Sequence, residues 1–360
     1  MNKTNIEKLI ERLLGTKCET IKVGCDIHAR ELAVSIQLDS AKPLRPQLMN
    51  REHLLRLVRG VIAGGREVHV CYETGPCGYS LYYELKAAGA DAYVIVAEAL
   101  GDGRKQKTDR LDAAALCDKL DRYLRGNVKA MTPVRVPTLG EQQGRSVGRL
   151  REQLKHSRHG WEARGRSLLL FYGHHVTGKW WTKHRWAQLG ESVDAWLVEP
   201  LGVIRATLLQ LDEQEKALRQ KLEAEAPKRL PKAIGALTWV LLLREICDWR
   251  RFKNRRQVSS FTGLCPGVHQ SGGRRRDGAI NRYGNARVRA LLIELVWRLA
   301  RWQPDYPPVR ALVAGVARGA ARRTCAVAAA RRLAVDLWRL ATGQTTPEKL
   351  KLIVPQEVLG

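Results

Sequence analysis

The sequence predicts an α/β domain with a mixed sheet at its amino end, followed by mainly α-helical middle and carboxy-terminal regions. Three observations carry that reading. Residues 1–125 alternate short apolar strands with amphipathic helices, the pattern of an α/β layer. Residues 126–137 hold Gly126, Pro133 and Pro137 with no periodicity, which marks a linker. Beyond it, apolar residues recur at three- and four-residue steps over long stretches. A chain of 360 residues leaves room for two or three domains, each with its own core.

The elements follow in order. Ile21–Asp26 reads as a strand ending in an acid, and Glu31–Leu38 as a second strand joined to it by a tight hairpin. Asn50–Ala63 carries Leu54, Leu55, Leu57, Val58, Val61 and Ile62 at helical spacing, so one face is buried. Glu67–Glu73 is a strand, Tyr79–Ala88 a helix, and Asp91–Ala97 a continuous apolar strand of the kind buried in parallel sheets. Thr108–Leu124 closes the head as a helix with Thr108 as N-cap. Leu139–Leu170 is a long basic helix. Leu208, Leu211, Leu218 and Leu222 form a coiled-coil-like stripe that Glu215 interrupts. Residues 232–340 read as an apolar helix (233–246), a glycine-rich basic loop and helices over 286–301 and 309–340.

Charge divides the chain as well. The formal net charge is +26, from 62 Lys+Arg against 36 Asp+Glu. Residues 1–125 hold 20 basic and 17 acidic side chains, so nearly all of the excess, and all ten Trp, lie beyond them. An excess of this size calls for a polyanionic partner such as nucleic acid. The amino terminus is charged, without the apolar core of a signal peptide, and no apolar run approaches a bilayer span; a cytoplasmic protein is expected. Eight cysteines are scattered without a CxxC pair, which suits reduced thiols rather than zinc ligands or disulfides.

Four acids in the head are informative: Asp26, Glu73, Asp109 and Asp112. Asp26 and Glu73 end strands expected in one sheet, and side chains at the carboxyl ends of neighbouring strands converge on one rim. Asp109 and Asp112, three residues apart on a helix, point to one face. Such a group repels itself unless divalent cations neutralise it, and oxygen-only ligands suit Mg²⁺ or Mn²⁺. Taken singly, each acid is equally well a cap, a turn former or a solvated charge. Lys105, Lys107 and Arg110 stand beside the helical pair and could hold phosphate there.

Gly24-Cys-Asp-Ile-His28, Tyr72-Glu-Thr-Gly75 and Lys107-Thr-Asp-Arg-Leu-Asp-Ala113 closely resemble the DEDD transposases of the IS110 family and the related Piv-type DNA invertases. The resemblance implies a RuvC-like domain with the ribonuclease H fold over residues 1–125. It further implies that Asp26, Glu73, Asp109 and Asp112 are both catalytic and metal-binding.

A second constellation surrounds Ser271. Between Arg244 and Arg289 there are twelve basic residues against three acids, and glycines at 272, 273, 278 and 284 let a backbone approach phosphate closely. Arg274, Arg275, Arg276, Arg282 and Arg287 supply guanidinium forks for phosphate oxygens. Ser-Gly-Gly alone is commonly just a flexible loop, and a serine needs activation before it attacks. Ile234-Gly-Ala236, Gln270-Ser-Gly-Gly273 and Ile280-Asn-Arg-Tyr-Gly-Asn-Ala-Arg-Val-Arg289 resemble the carboxy-terminal domain of the same transposases, whose serine attacks DNA to form a phosphoserine link; that role maps onto Ser271. The family pattern near 234 has Gly-Ile-Gly, a turn that contacts DNA backbone, where this chain has Ala233-Ile-Gly235.

Elsewhere, Trp180, Trp181 and Trp186 stand among cations and read either as base-stacking platforms or as anchors of a helical insertion. Trp297, Trp302 and Trp338 lie on helical apolar stripes and are expected in the core. Arg322, Arg323, Arg331 and Arg332 could bind nucleic acid or form a solvated face.

The resemblance therefore implies four regions: a RuvC-like DEDD catalytic domain (1–125), a linker with a helical, coiled-coil region (126–230), a transposase domain bearing the serine nucleophile (231–345) and a tail (346–360). The expected activity is Mg²⁺-dependent recombination of donor and target DNA through a phosphoserine. A structured bridge RNA is expected to guide it, with a homo-oligomer assembling a composite site and nucleoid association when active. A metal-only junction nuclease and a catalytically inactive nucleic-acid-binding scaffold are the alternatives.

Overall fold

The computed structural model describes residues 3–28, 30–75, 77–96, 109–271, 274–315 and 318–355, with side chains left out at 3–4, 109–111, 268–271 and 274–277. The chain separates into two compact units, Met1–Val136 and Pro137–Gly360.

The first unit is mixed α/β. Its elements are α1 (Lys3–Gly15), β1 (Thr20–Ile27), β2 (Leu32–Leu38), β3 (Gln47–Met49), α2 (Arg51–Ala63), β4 (Glu67–Glu73), α3 (Ser80–Ala87), β5 (Asp91–Ile95) and α4 (Asp109–Leu124). The sheet order is β3-β2-β1-β4-β5; β1, β4 and β5 run parallel, while β2 and β3 are antiparallel to their neighbours. Asn50, read from the sequence as the first residue of this helix, is its N-cap and accepts a hydrogen bond from the His53 amide. One face of the sheet packs on α1 and α2 through Leu13, Ile21, Val23, Leu54, Val58 and Val70. The other face is covered by α4, where Cys71, Ile95, Leu116, Leu120 and Met131 make a smaller core.

One expectation is corrected by the pairing. The apolar strand Asp91–Ile95 pairs parallel to β4, but it forms the sheet edge rather than a buried interior position. Its outer side is partly closed by Pro133, which bridges to Ile95. The expected N-cap Thr108 lies outside the described residues.

The second unit is helical apart from one hairpin. It contains α5 (Leu139–Phe171), α6 (Lys183–Ser192), α7 (Ala195–Glu223), α8 (Ala236–Ile246), α9 (Arg255–Thr262), β6 (Pro266–Ser271), β7 (Arg274–Ile280), α10 (Ala286–Trp302), α11 (Arg310–Val313) and α12 (Gly319–Ala341). A capping box starts α5, with Thr138 and Glu141 exchanging side-chain and backbone bonds. α5 and α7 pack along each other, burying Leu208 and Leu222. Glu215, which interrupts the leucine stripe, is itself buried and takes hydrogen bonds from Arg151 (3.0 Å) and Arg158 (3.1 Å) of α5. A core of Leu242, Val258, Leu292, Leu299, Leu333 and Trp338 joins α8, α9, α10 and α12.

The basic segment expected as a loop folds as the antiparallel hairpin β6–β7. The helix expected over 309–340 is broken into α11 and α12. Trp180 and Trp181 are buried in a core with Leu169, Leu197 and Leu201, which settles them as anchors rather than stacking platforms.

Candidate functional site

The parallel register of β1 and β4 decides where the head's acids stand. The pairing ends at Cys25 opposite Tyr72, and Asp26 and Glu73 each follow that pair by one residue. The two carboxylates therefore occupy matched positions at the carboxyl ends of adjacent strands. Both are half-buried, and His28 Nε2 lies 3.5 Å from Asp26 Oδ2.

Helix α4 carries the remaining pair to the same rim. Its carboxyl half is pinned over the start of β1, where Lys22 Nζ donates to Asp121 Oδ1 at 2.8 Å. One turn earlier, the Gly24 amide donates to Cys117 Sγ at 3.0 Å, and that thiol donates onward to the Ser35 carbonyl at 3.2 Å. One turn earlier again, Ala113 stands against Gly24. The helix thus runs opposite to β1, and its first turn, Asp109 to Asp112, lies at the end of the sheet that bears Asp26 and Glu73. Asp112 is half-exposed; the side chains of Asp109 and Arg110 lie outside the described ones, as do Lys105 and Lys107 altogether. The carboxylates of Asp26, Glu73 and Asp112 share this rim without closing to a sphere of mutual 4.8 Å approach. Among the described residues, the group that does so is Glu67, His69 and Asp91, at the other end of the sheet.

In the second unit Ser271 is the last residue of β6 and pairs with Arg274, while Gln270 pairs with Arg275 and His269 with Arg276. The register thus sets the three arginines directly opposite the serine segment. The hairpin root is locked by close backbone crossing. A side chain on Gly284 would stand 2.6 Å from the Phe261 carbonyl and 2.9 Å from that of Ser260, so only glycine fits. Asn285 N–H donates to the Phe261 carbonyl at 2.8 Å, and Asn281 N–H to that of Cys265 at 2.9 Å. Asn285 then caps α10 with its Oδ1 and donates its Nδ2 to Glu245 at 2.8 Å. Glu245, buried at the end of α8, also receives Arg149 (2.9 Å) and Arg145 (3.3 Å) from α5. Burial pushes its carboxyl pKa up, and the bonds from Arg149 and Asn285 with the charge of Arg145 more than reverse that, to about 2.

Comparison with known proteins bears on this second unit first. Residues 231–310, which run from the turn before α8 through the hairpin and α10, match the transposase IS116/IS110/IS902 family. A putative transposase y4rJ of Sinorhizobium fredii is 29% identical over 264 residues, covering 65% of this chain and 66% of that protein. The transposase for insertion sequence element IS1533 of Leptospira borgpetersenii is 24% identical, covering 77% and 85%. The transposase for insertion sequence element IS1111A of Coxiella burnetii is 28% identical, covering 68% and 69%.

Residues 231–310 thus resemble the IS110-type transposase domain, and the chain is similar to insertion-sequence transposases over most of its length. Its match spans just under two thirds of the length of the y4rJ protein.

Within the residues that match the family model, Ala233 has φ +73°, a left-handed conformation that favours glycine, and this is where the resembled pattern carries one. Arg282 also has positive φ (+60°) and is exposed beside Tyr283, which is 80% exposed. Arg287 is ion-paired with Glu152, so part of its charge is already engaged. Trp338 is in the core as expected, whereas Trp297 and Trp302 reach the surface. The Arg322 guanidinium lies 5.1 Å from the Trp297 ring, and Arg301 and Lys232 flank Trp302. Tyr283 and the two exposed tryptophans are surface aromatics among cations that periodicity alone assigned elsewhere or passed over. Among the described residues no helix is long and apolar enough to cross a membrane.

Proposed function

We propose that this chain is the IS110-family recombinase of an insertion sequence, with a RuvC-like head. The observation that carries the reading is the matched placement of Asp26 and Glu73 on adjacent parallel strands, with the first turn of α4 delivered to the same rim. That donor set is oxygen-only and anionic, so the residues fit a hard divalent cation. Mg²⁺ or Mn²⁺ held by Asp26, Glu73, Asp109 and Asp112 would neutralise phosphate charge and stabilise the oxygens of an in-line displacement.

Ser271, at the end of β6, is the proposed nucleophile. Its Oγ loses a proton and bonds to phosphorus as the bond to the 3′-oxygen breaks; the 3′-oxygen leaves and takes up a proton. The reverse attack by another 3′-hydroxyl rejoins the strands and releases the serine. Arg274, Arg275 and Arg276, opposite the serine segment in the register, would hold the phosphate, and Arg282 with exposed Tyr283 would grip nucleic acid beside it. The excess positive charge suits donor and target DNA and a structured guide RNA, bound by a homo-oligomer.

The test uses the purified chain with nicked suicide DNA substrates and Mg²⁺. Wild-type protein should form a denaturation-resistant DNA adduct that Ser271→Ala abolishes and Asp26→Ala and Glu73→Ala prevent. Undiminished hydrolytic cleavage by Ser271→Ala would instead identify a metal-only nuclease. DNA activity untouched by both acid substitutions would identify a scaffold. Sequencing RNA that co-purifies with the chain tests the guide.

A further inference from the structure

We infer that Glu67, His69 and Asp91 form a second metal site, for a borderline ion such as Zn²⁺, in the head. It lies at the amino ends of β4 and β5, six residues along β4 from Glu73, so about 20 Å from the candidate catalytic rim. Strand geometry assembles it. Glu67 and His69 are two residues apart on β4 and share a face, and His69 is the register partner of Asp91 on β5. A ligand atom from each of the three lies within 4.8 Å of the others.

The chemistry is that of a binding site rather than a solvated charge cluster. The His69 side chain is only 8% exposed, and its Nδ1 is a buried nitrogen without a hydrogen-bond partner. That nitrogen is 3.8 Å from Asp91 Oδ2. Zinc bonds to imidazole and carboxylate are about 2.0–2.2 Å, so one ion can bridge two atoms about 4 Å apart. Glu67 Oε1 lies 3.1 Å from the opposite ring nitrogen, and this exposed carboxylate would swing from that pairing to supply the third ligand. Three protein ligands with water in the open position is a familiar zinc arrangement.

The surroundings favour it further. Lys86 Nζ holds Asp91 Oδ1 at 2.8 Å, which orients the carboxylate and leaves Oδ2 toward the histidine. Lys22, the register neighbour of His69 on β1, spends its charge on Asp121. One imidazole among oxygens distinguishes this site from the all-carboxylate rim, which favours harder ions. A bound ion would tie edge strand β5 to β4, fastening a strand whose outer side is held, among the described residues, only by the short bridge at Pro133.

The test separates the two sites by working in a full-length Asp26→Asn/Glu73→Gln background. Co²⁺ titrated into the metal-free protein should bind with one equivalent showing visible absorption of an imidazole-containing site. Zn²⁺ should displace it and raise the unfolding temperature. His69→Asn, and separately the surface changes Glu67→Gln and Asp91→Asn, should each weaken Co²⁺ binding by at least about tenfold. Because Glu67 and Asp91 are exposed, those two variants fold irrespective of the fate of His69→Asn. Absence of Co²⁺ binding in the background protein, or binding that Glu67→Gln and Asp91→Asn leave unchanged, overturns the inference. Neither result bears on the DNA adduct formed by Ser271.

Discussion

Gly24 of β1 lies directly beneath Ala113 of α4. A Cβ at Gly24 would collide with the Ala113 carbonyl oxygen and stand 2.8 Å from the Cys117 amide. The helix bearing Asp109 and Asp112 rests on the sheet only because this position has no side chain. Gly24→Ala should therefore cost about 1–3 kcal/mol, the usual range for overpacking. It should also lower Mn²⁺ affinity, since α4 must lift from the rim. Thermal unfolding and calorimetric Mn²⁺ titration measure the two effects; an unchanged pair of values would remove the contact from the account.

Ala233 pays for its left-handed backbone. An L-residue there loses about 1–2 kcal/mol, while glycine costs about 0.5–1 kcal/mol of extra chain entropy. Ala233→Gly should thus stabilise the second unit by up to about 1 kcal/mol, seen as a rise of about 2–4 °C in its unfolding temperature. Ala233→Val should lower that temperature.

Glu245 makes the second unit acid-sensitive. Its pKa is held at about 2 when folded, against an ordinary 4.5. A depressed carboxylate contributes stability that is fully present above the unfolded pKa and lost as pH falls through the folded one. The contribution is about 2–3 kcal/mol and should fade between pH 4.5 and pH 2. Glu245→Ala leaves half-buried Arg145 and the Asn285 amide without their partner and should lower stability at neutral pH by at least that contribution. Chemical denaturation across that pH range, with and without the substitution, gives both numbers.

Thiol reactivity should divide the eight cysteines. Cys18, Cys25, Cys71 and Cys117 are buried, and burial raises the Cys71 and Cys117 pKa to about 12. A disulfide reagent at pH 8 should leave these four unmodified in the native protein and reach them after unfolding, since the thiolate is the reactive form. Cys77, Cys247, Cys265 and Cys325, all partly exposed, should react first. Peptide mapping of the labelled sites checks the order.

Local patterning was enough to place most of the head. Strand Ile21–Asp26, the helix over 50–63 and strand Glu67–Glu73 are legible because each depends on apolar spacing within a dozen residues. Asp26 and Glu73 could be named as one group for the same reason: both end such strands. Position in the sheet is not written locally. An apolar run such as Asp91–Ile95 looks the same at an edge as in the interior, and only pairing with β4 and closure by Pro133 distinguish them.

Residue chemistry was legible without the fold: the acids at strand ends, the serine among arginines, and the cationic excess beyond residue 125. Tertiary structure alone decided which of these meet. Parallel register aligns Asp26 with Glu73, packing on Gly24 carries the α4 acids to them, and the β4–β5 pairing sets Asp91 beside His69. It also buried Trp180 and Trp181 while leaving Trp297 and Trp302 exposed, because burial depends on which neighbour covers a face, and helical period reports only that the face exists.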